Sequence, residues 1–224
     1  MEAYGGLDLR LEGGTALAAY HLRHRESADL DFFASPGMDA RDFAHAVHER
    51  APRAGLAVTK EGAATRGFAE FLVGAEASPE GPLRVQLGIQ SPYQLASTDP
   101  TEEGVPVASY RDLCAGKLHA ICDRLEPRDF IDLHAIMHRP GAAGAPDDAE
   151  RRRRVRDLVT DLRLIDPGLT LPRVGEAVAR GLKPDLVTGF PLRLLKPYTD
   201  EEVRATVNDC CDEIAAMVRE AWGR

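Results

Sequence analysis

Two stretches of the chain carry residue types that suit phosphate and metal chemistry. In "LEGGTALAAYHLRHRESADLDFF", residues 11–33, Gly13, Gly14 and Thr15 lead into a helical pattern, and Asp29 and Asp31 open an apolar run one residue apart. A helix entered through glycines offers unpaired N–H groups and the positive end of its dipole, both of which attract phosphate oxygens. Glycine lets the backbone approach a bulky anion, and the Thr15 hydroxyl adds a donor that can also cap the helix. Gly-Gly-Thr is equally an ordinary way to begin a helix, so the turn alone decides nothing. The acidic pair says more. Residues i and i+2 of a strand share a face with Cα atoms roughly 6–7 Å apart, so Asp29 and Asp31 can converge on one cation while Leu30 packs the other way. A divalent ion relieves their repulsion, and Mg2+ held by one or two carboxylates plus substrate phosphates is a common arrangement. The plain alternative is a polar strand end satisfied by turn amides and nearby arginines.

The second stretch is "AGKLHAICDRLEPRDFIDLHAI", residues 115–136. Lys117 shares a helical stripe with Leu113, Leu118 and Ile121, so its ammonium either snorkels past the core edge or points into a cleft between lobes. Asp129 and Asp132 are i, i+3 neighbours, and Arg128 and Asp132 are i, i+4 neighbours, so they share a face. Asp129 has a simple structural reason, because an acid in a first helical turn complements the dipole. Asp132 lies deeper in the helix and carries more weight as a site residue.

Positioning these groups requires a scaffold that the pattern supplies. "LDLRLEGG" alternates as a strand, "TALAAYHLRHR" turns helical, "DLDFF" starts a second strand, and "MDARDFAHAVHERAP" reads as a capped helix. Three short strand candidates follow, "GLAVTKEG", "GFAEFLVG" and "PLRVQLGIQ", each bounded by Gly or Pro. Beyond "VPVAS" the texture is helical, with Pro127 at a helix start, a flexible "PGAAGAPDDAE" connector and a capped closing helix from "TDEEV". The expectation is an α+β chain: a lobe with a mixed sheet over 1–108 and a mostly helical lobe over 109–224.

Composition bounds the rest. With 224 residues, 44% of them hydrophobic and 29% charged, the chain can build a sizeable core. No apolar run approaches the roughly 20 residues of a bilayer span, and no signal segment is visible, so a cytoplasmic setting without membrane is expected. Four cysteines without zinc-like spacing read as packed thiols. A net charge of −8 argues against a general coat for duplex nucleic acid but leaves room for a local patch. "RRRRVR", Arg151 to Arg156, is either that patch or a solvated helix start. His134 and His138 have a metal-capable i, i+4 spacing, without the glutamate of an HExxH motif. His21 and His24 read as solvated or packing residues.

"GGTAL", a dozen or so residues, then "RESADLDFF", followed later by the helical lysine and "RDxxDL", resembles the AbiEii-like toxins of type IV toxin–antitoxin systems, within the polymerase-β-type nucleotidyltransferase superfamily. The blocks span roughly the first 140 residues in matching order. The resemblance implies transfer of a nucleoside monophosphate from a nucleoside triphosphate to a hydroxyl acceptor, with release of pyrophosphate. It implies that Gly13, Gly14 and Thr15 hold the triphosphate, that Asp29 and Asp31 bind Mg2+, and that Lys117 reaches a phosphate. It places Asp132 with the catalytic residues, and Arg25, Ser27 and Asp129 with the nucleotide-binding ones, Ser27 being a position associated in relatives with control by phosphorylation. The acceptor it suggests is the 3′ end of a tRNA, with toxicity as the outcome and an antitoxin as partner.

Superfamily members commonly carry a third carboxylate on a neighbouring strand, and the residue aligned there is Gln86. An amide cannot act as a general base. Asp132 or Glu70 substitutes, the acceptor loses its proton by another route, or the enzyme is weak. Two rival readings remain open: the same chemistry on a small molecule or protein, and a nucleotide-binding or partner-binding module without turnover. Relatives generally carry a helical segment before the first strand, where this chain has only about a dozen residues ahead of its glycines.

Overall fold

The computed structural model describes residues 9–27, 29–75, 81–89, 94–99, 101, 104–142 and 144–223. The architecture is α+β, as the alternation of strand and helix patterns predicts, and the chain divides into two units. The first comprises Met1–Ala16 and Ser27–Ser109, and the second Leu17–Glu26 and Tyr110–Arg224.

The first unit is built on a five-stranded mixed sheet of order β1-β2-β5-β4-β3. Its strands are β1 (Leu9–Glu12), β2 (Asp29–Ala34), β3 (Ala57–Ala64), β4 (Phe68–Gly74) and β5 (Leu83–Ile89). β2 runs antiparallel to β1 and parallel to β5, while β4 is antiparallel to both β5 and β3. The first residues of the expected opening strand, Leu7 and Asp8, lie outside the described residues. Alternation sorts the side chains: Leu30, Phe32, Ala34, Val85, Leu87, Ala69, Phe71 and Val73 line one face and form the core. The helix α2 (Ala40–Arg50) covers that face with Phe43 and Ala44, its first turn capped by the Asp39 side chain accepting from Arg41 N. Asp29, Asp31, Gln86 and Glu70 are therefore left on the opposite, polar face.

The glycine turn forms a short helical turn, α1 (Gly13–Thr15), which passes into a π-helix, Ala16–Leu22. The sequence pattern suggests a helix reaching Arg25, but the structure stops it at Leu22. The wide i→i+5 pattern ends with Arg23 N donating to Ala18 O, and Arg23 adopts a left-handed φ of 48°, which a helix cannot continue through.

The second unit holds α3 (Tyr110–Asp123), α4 (Pro127–Met137), α5 (Asp148–Ile165), α6 (Leu171–Ala179) and α7 (Asp200–Trp222). Pro127 stands at the start of α4, where its missing N–H costs nothing, and a capping box of Thr199 and Glu202 opens α7. α4 is buried at every residue from Asp129 to Met137, so it is the central helix of this unit. Leu118, Ile121, Leu162, Val174 and Ile214 of the other helices are buried as well. Cys114, Cys122 and Cys210 are buried free thiols, as expected, and burial raises all three pKa values, that of Cys114 to about 12. No helix among the described residues is long and apolar enough to cross a membrane.

Candidate active site

In the first unit the acidic pair and the glycine turn meet. Asp29 and Asp31 stand two residues apart on β2 and so project from the same face of the sheet. β1 feeds directly into the turn, and its last residue, Glu12, pairs in register with Asp31. Gly13 has φ of +69°, and a Cβ there would land on the Asp31 carboxylate. The glycine is thus required twice, by its backbone and by the acid seated against it. The Thr15 hydroxyl donates to the backbone carbonyl of Asp29, which ties the first helical turn to the start of the acidic strand. Asp29 also lies 3.8 Å from the Arg84 guanidinium, an arginine directly opposite it on β5. Arg84 is half exposed, so this contact is a loose one that a competing cation can replace.

The donor set suits Mg2+ in part. Two carboxylates on one face, cradled by a glycine that leaves them room, match an ion that keeps several waters and takes further oxygens from phosphates. Among the described residues, no three His, Cys, Asp or Glu side chains form a ready-made metal cage. Gln86 stands opposite Asp31 in the parallel β2–β5 register and opposite Glu70 in the β4–β5 register. Its Nε2 donates to Glu70 Oε2 at 2.6 Å. Ser27, two residues before Asp29, is partly buried.

The second unit brings together Arg25, Lys117, Asp129 and Asp132. Asp132 is fully buried and accepts from Arg25 Nε at 2.7 Å, Arg25 Nη2 at 2.9 Å and His24 Nε2 at 2.7 Å, while Lys117 Nζ lies 2.7 Å away. Lys117 Nζ also donates to Asp129 Oδ1 at 3.2 Å, and Arg124 closes on Asp129 at 3.0 Å. Burial alone would raise the Asp132 pKa, but the Lys117 charge and the Arg25 and His24 hydrogen bonds outweigh it and hold the carboxyl far below its usual range. Of the two sequence options for Lys117, snorkelling is not realised: the side chain is 7% exposed and its ammonium is bonded inside the unit.

His24, read from sequence as solvated or packing, is a member of this network. The signal is absent from periodicity because the helix ends early and the segment after it folds inward. Glu26 N donates to Arg193 O, Arg25 bridges Leu194, and both Leu195 N and Lys196 N donate to His24 O. That ribbon fixes the backbone from which His24 and Arg25 reach Asp132.

Three other features belong to the second unit. His134 Nδ1 bonds Thr206 Oγ1 at 2.8 Å and its ring stacks 4.3 Å from that of His138, whose Nδ1 faces the His134 carbonyl, so their spacing builds a packed pair rather than a metal site. The arginine run is mostly spent within the protein: Arg151 on Asp148, Arg153 on Glu150, Arg156 on Glu213 and Glu220. Arg154 bonds Glu150 and the carbonyls of Ile136, Met137 and Arg139. A cavity of about 780 Å³ in the second unit is lined by Tyr110, Arg111, Arg139 and Arg154 among others, with Arg111 paired to Asp161, and it contains none of the acidic pair.

Known proteins resemble this chain in sequence pattern and in fold. A model of the family described as "Nucleotidyl transferase AbiEii toxin, Type IV TA system" matches residues 3–209. No curated protein matches the chain. Among solved structures, a candidate nucleotidyltransferase from H. pylori is 18% identical with a TM-score of 0.57, the alignment covering 96% of this chain and 90% of that one. JHP933 from Helicobacter pylori is 16% identical with a TM-score of 0.54, covering 97% and 90%. MenT4, a nucleotidyltransferase toxin from Mycobacterium tuberculosis H37Rv, is 20% identical with a TM-score of 0.59, covering 95% and 77%. At these identities the likeness to solved structures speaks for the fold.

Proposed function

Since the chain belongs to the AbiEii family of nucleotidyltransferase toxins, we propose that it moves a nucleoside monophosphate from a nucleoside triphosphate to a hydroxyl of the tRNA 3′ end. The observation that carries the reading is the seating of Asp31 against Gly13, which puts a carboxylate and a phosphate-seeking helix turn in one place. Asp29 and Asp31 would hold Mg2+, which when bound supplies neutralising charge for the phosphates. Gly13, Gly14 and Thr15 would cradle the triphosphate through backbone amides. Ser27, Arg25, Lys117 and Asp129 are proposed as nucleotide-binding residues, and Lys117 and Asp132 as part of the catalytic machinery, because they match the family's motifs.

The chain's own contribution is positional. The β2 backbone is fixed to the helical turn through Thr15 and Asp29, so the acids and the amides cannot drift apart independently. In the second unit Asp132 holds Arg25 and Lys117 in set orientations. The tRNA acceptor is drawn from the family and not from Arg151–Arg156, whose charges are mostly neutralised by neighbouring acids. A cognate antitoxin and a cytoplasmic setting are proposed on the same family reading.

The test is incubation of the whole chain with labelled nucleoside triphosphates, Mg2+ and total RNA. Label on tRNA that disappears in Asp31→Asn is the expected result. Label on a protein or small molecule instead would replace the acceptor, and nucleotide binding without transfer, indifferent to Asp31→Asn, would overturn the enzymatic reading for this chain.

A further inference from the structure

Gln86 occupies the sheet position where a third carboxylate would complete the acidic pair, and its surroundings are specific. On the polar face it stands between Asp31 on β2 and Glu70 on β4. Its Nε2 donates to Glu70 Oε2 at 2.6 Å between partly buried groups, a short charge-assisted bond. An amide has one donating and one accepting end, and only the donating end can face a carboxylate. Glu70 therefore sets which end of the amide lies toward β4, the nitrogen, and the neighbour of β5 on its other side is β2 with Asp31. A small neighbour leaves Glu70 its room. A Cβ at Gly62 on β3 would come within 2.9 Å of Glu70 Oε1 and 3.2 Å of its Cβ, so a larger residue there would displace the carboxylate.

We propose that Gln86 serves as a neutral oxygen ligand to the divalent ion of the Asp29–Asp31 pair, and that Glu70 is the positioning residue that orients and polarises its amide. This rests on the reading that the acidic pair binds such an ion. A ligand whose far end is bonded to a carboxylate is both oriented and made a better donor, the usual role of an outer partner at a metal site. The arrangement supplies a third oxygen while leaving the site one negative charge short of three carboxylates.

Titration of the whole chain with Mn2+, with free ion followed by electron paramagnetic resonance, tests this without turnover. Glu70→Gln is expected to weaken Mn2+ binding by about tenfold, the lower end of what loss of an outer partner costs. Because that variant also removes a charge, Gln86→Leu decides the matter: it keeps every charge and must weaken binding as much. The Glu70→Gln/Gln86→Leu double variant should bind no more weakly than the worse single one, and Glu70→Gln/Gln86→Glu should regain wild-type affinity or better. Wild-type Mn2+ affinity in Gln86→Leu overturns the proposal, whether or not Glu70→Gln is affected, and unfolding midpoints without metal identify a variant that has merely lost its fold. If the wild-type chain binds no Mn2+, or binds it equally well as Asp31→Asn, the acidic-pair reading itself falls, an outcome distinct from indifference at Gln86 alone.

Discussion

Replacing Gly13 by alanine should damage the first unit in a way that Gly55→Ala does not, although the two glycines have nearly the same backbone, φ of +69° and +71°. At Gly55 nothing lies within 4 Å of the new Cβ, so the change costs only left-handed strain, about 1–2 kcal/mol, less the roughly 0.4–1 kcal/mol returned by a stiffer unfolded chain. At Gly13 the same balance applies, and in addition the Asp31 carboxylate must leave its place. An off-rotamer displacement costs about 0.5–1.5 kcal/mol, and the Asp31 Cβ, 2.9 Å from the new Cβ, cannot rotate away, so Gly13→Ala should be at least about 1 kcal/mol worse than Gly55→Ala. Urea unfolding of the two variants measures the difference. In an Asp31→Ala background the excess should shrink, because the obstructing carboxylate is gone and only the Cβ at position 31, 2.9 Å from the new one, still crowds it, and nucleotidyl transfer should fall at least tenfold in Gly13→Ala while Gly55→Ala stays near wild type. Equal destabilisation of the two, or full activity in Gly13→Ala, would refute the claim that turn and acid form one site.

Further outcomes follow from the second unit. Burial, with the His138 charge behind it, lowers the His134 pKa from 6.5 to about 4, so the fold favours the neutral ring. Its stabilising contribution is complete above pH 6.5 and shrinks as the unfolded chain takes up the proton. That is a loss of about 2 kcal/mol by pH 5, and His134→Gln should flatten this slope in urea titrations at pH 7 and 5. Asp132→Asn takes the counter-charge from buried Arg25 and leaves buried Lys117 with Asp129, and should cost about 3–5 kcal/mol by the same measurement, against near neutrality for a change at exposed Arg152. Arg154→Ala strips the partner from the last carbonyls of α4 and should cost about 1–3 kcal/mol in thermal or urea unfolding.

The sheet was legible because its strands obey local rules. "GFAEFLVG" and "PLRVQLGIQ" alternate cleanly between punctuating residues, and the structure pairs them antiparallel as β4 and β5. Pro127, Asp39 and Thr199 marked helix starts through capping chemistry that depends only on a few neighbouring residues. What sequence could not supply is long-range. The early end of the helix at Leu22 depends on Arg23 taking a left-handed conformation, and the inward turn of His24 depends on hydrogen bonds to residues 193–196, some 170 residues away. The arginine run shows the same limit from the other side: "RRRRVR" gives its charge plainly, but Glu213 and Glu220, which neutralise Arg156, are carried by α7.

Asp132 and Glu70 both stand as carboxylates that could compensate for Gln86, and their surroundings separate them. A carboxylate has about four lone-pair sites, and Asp132 presents its two oxygens to His24, to both ends of the Arg25 fork and to Lys117. It has no site left for an ion, and a group held so far below its usual pKa is a poor acceptor for a proton. Its role is to fix two cations, and a buried network of this kind is kept at a cost in stability that apolar packing would not incur. Glu70 has one oxygen on the Gln86 amide and sits on the same face as Asp31. The burden of the missing carboxylate therefore falls on the β4–β5 pair: exchanging Glu70 and Gln86 should preserve ion binding, and Asp132→Asn should lower stability while leaving ion binding as it is.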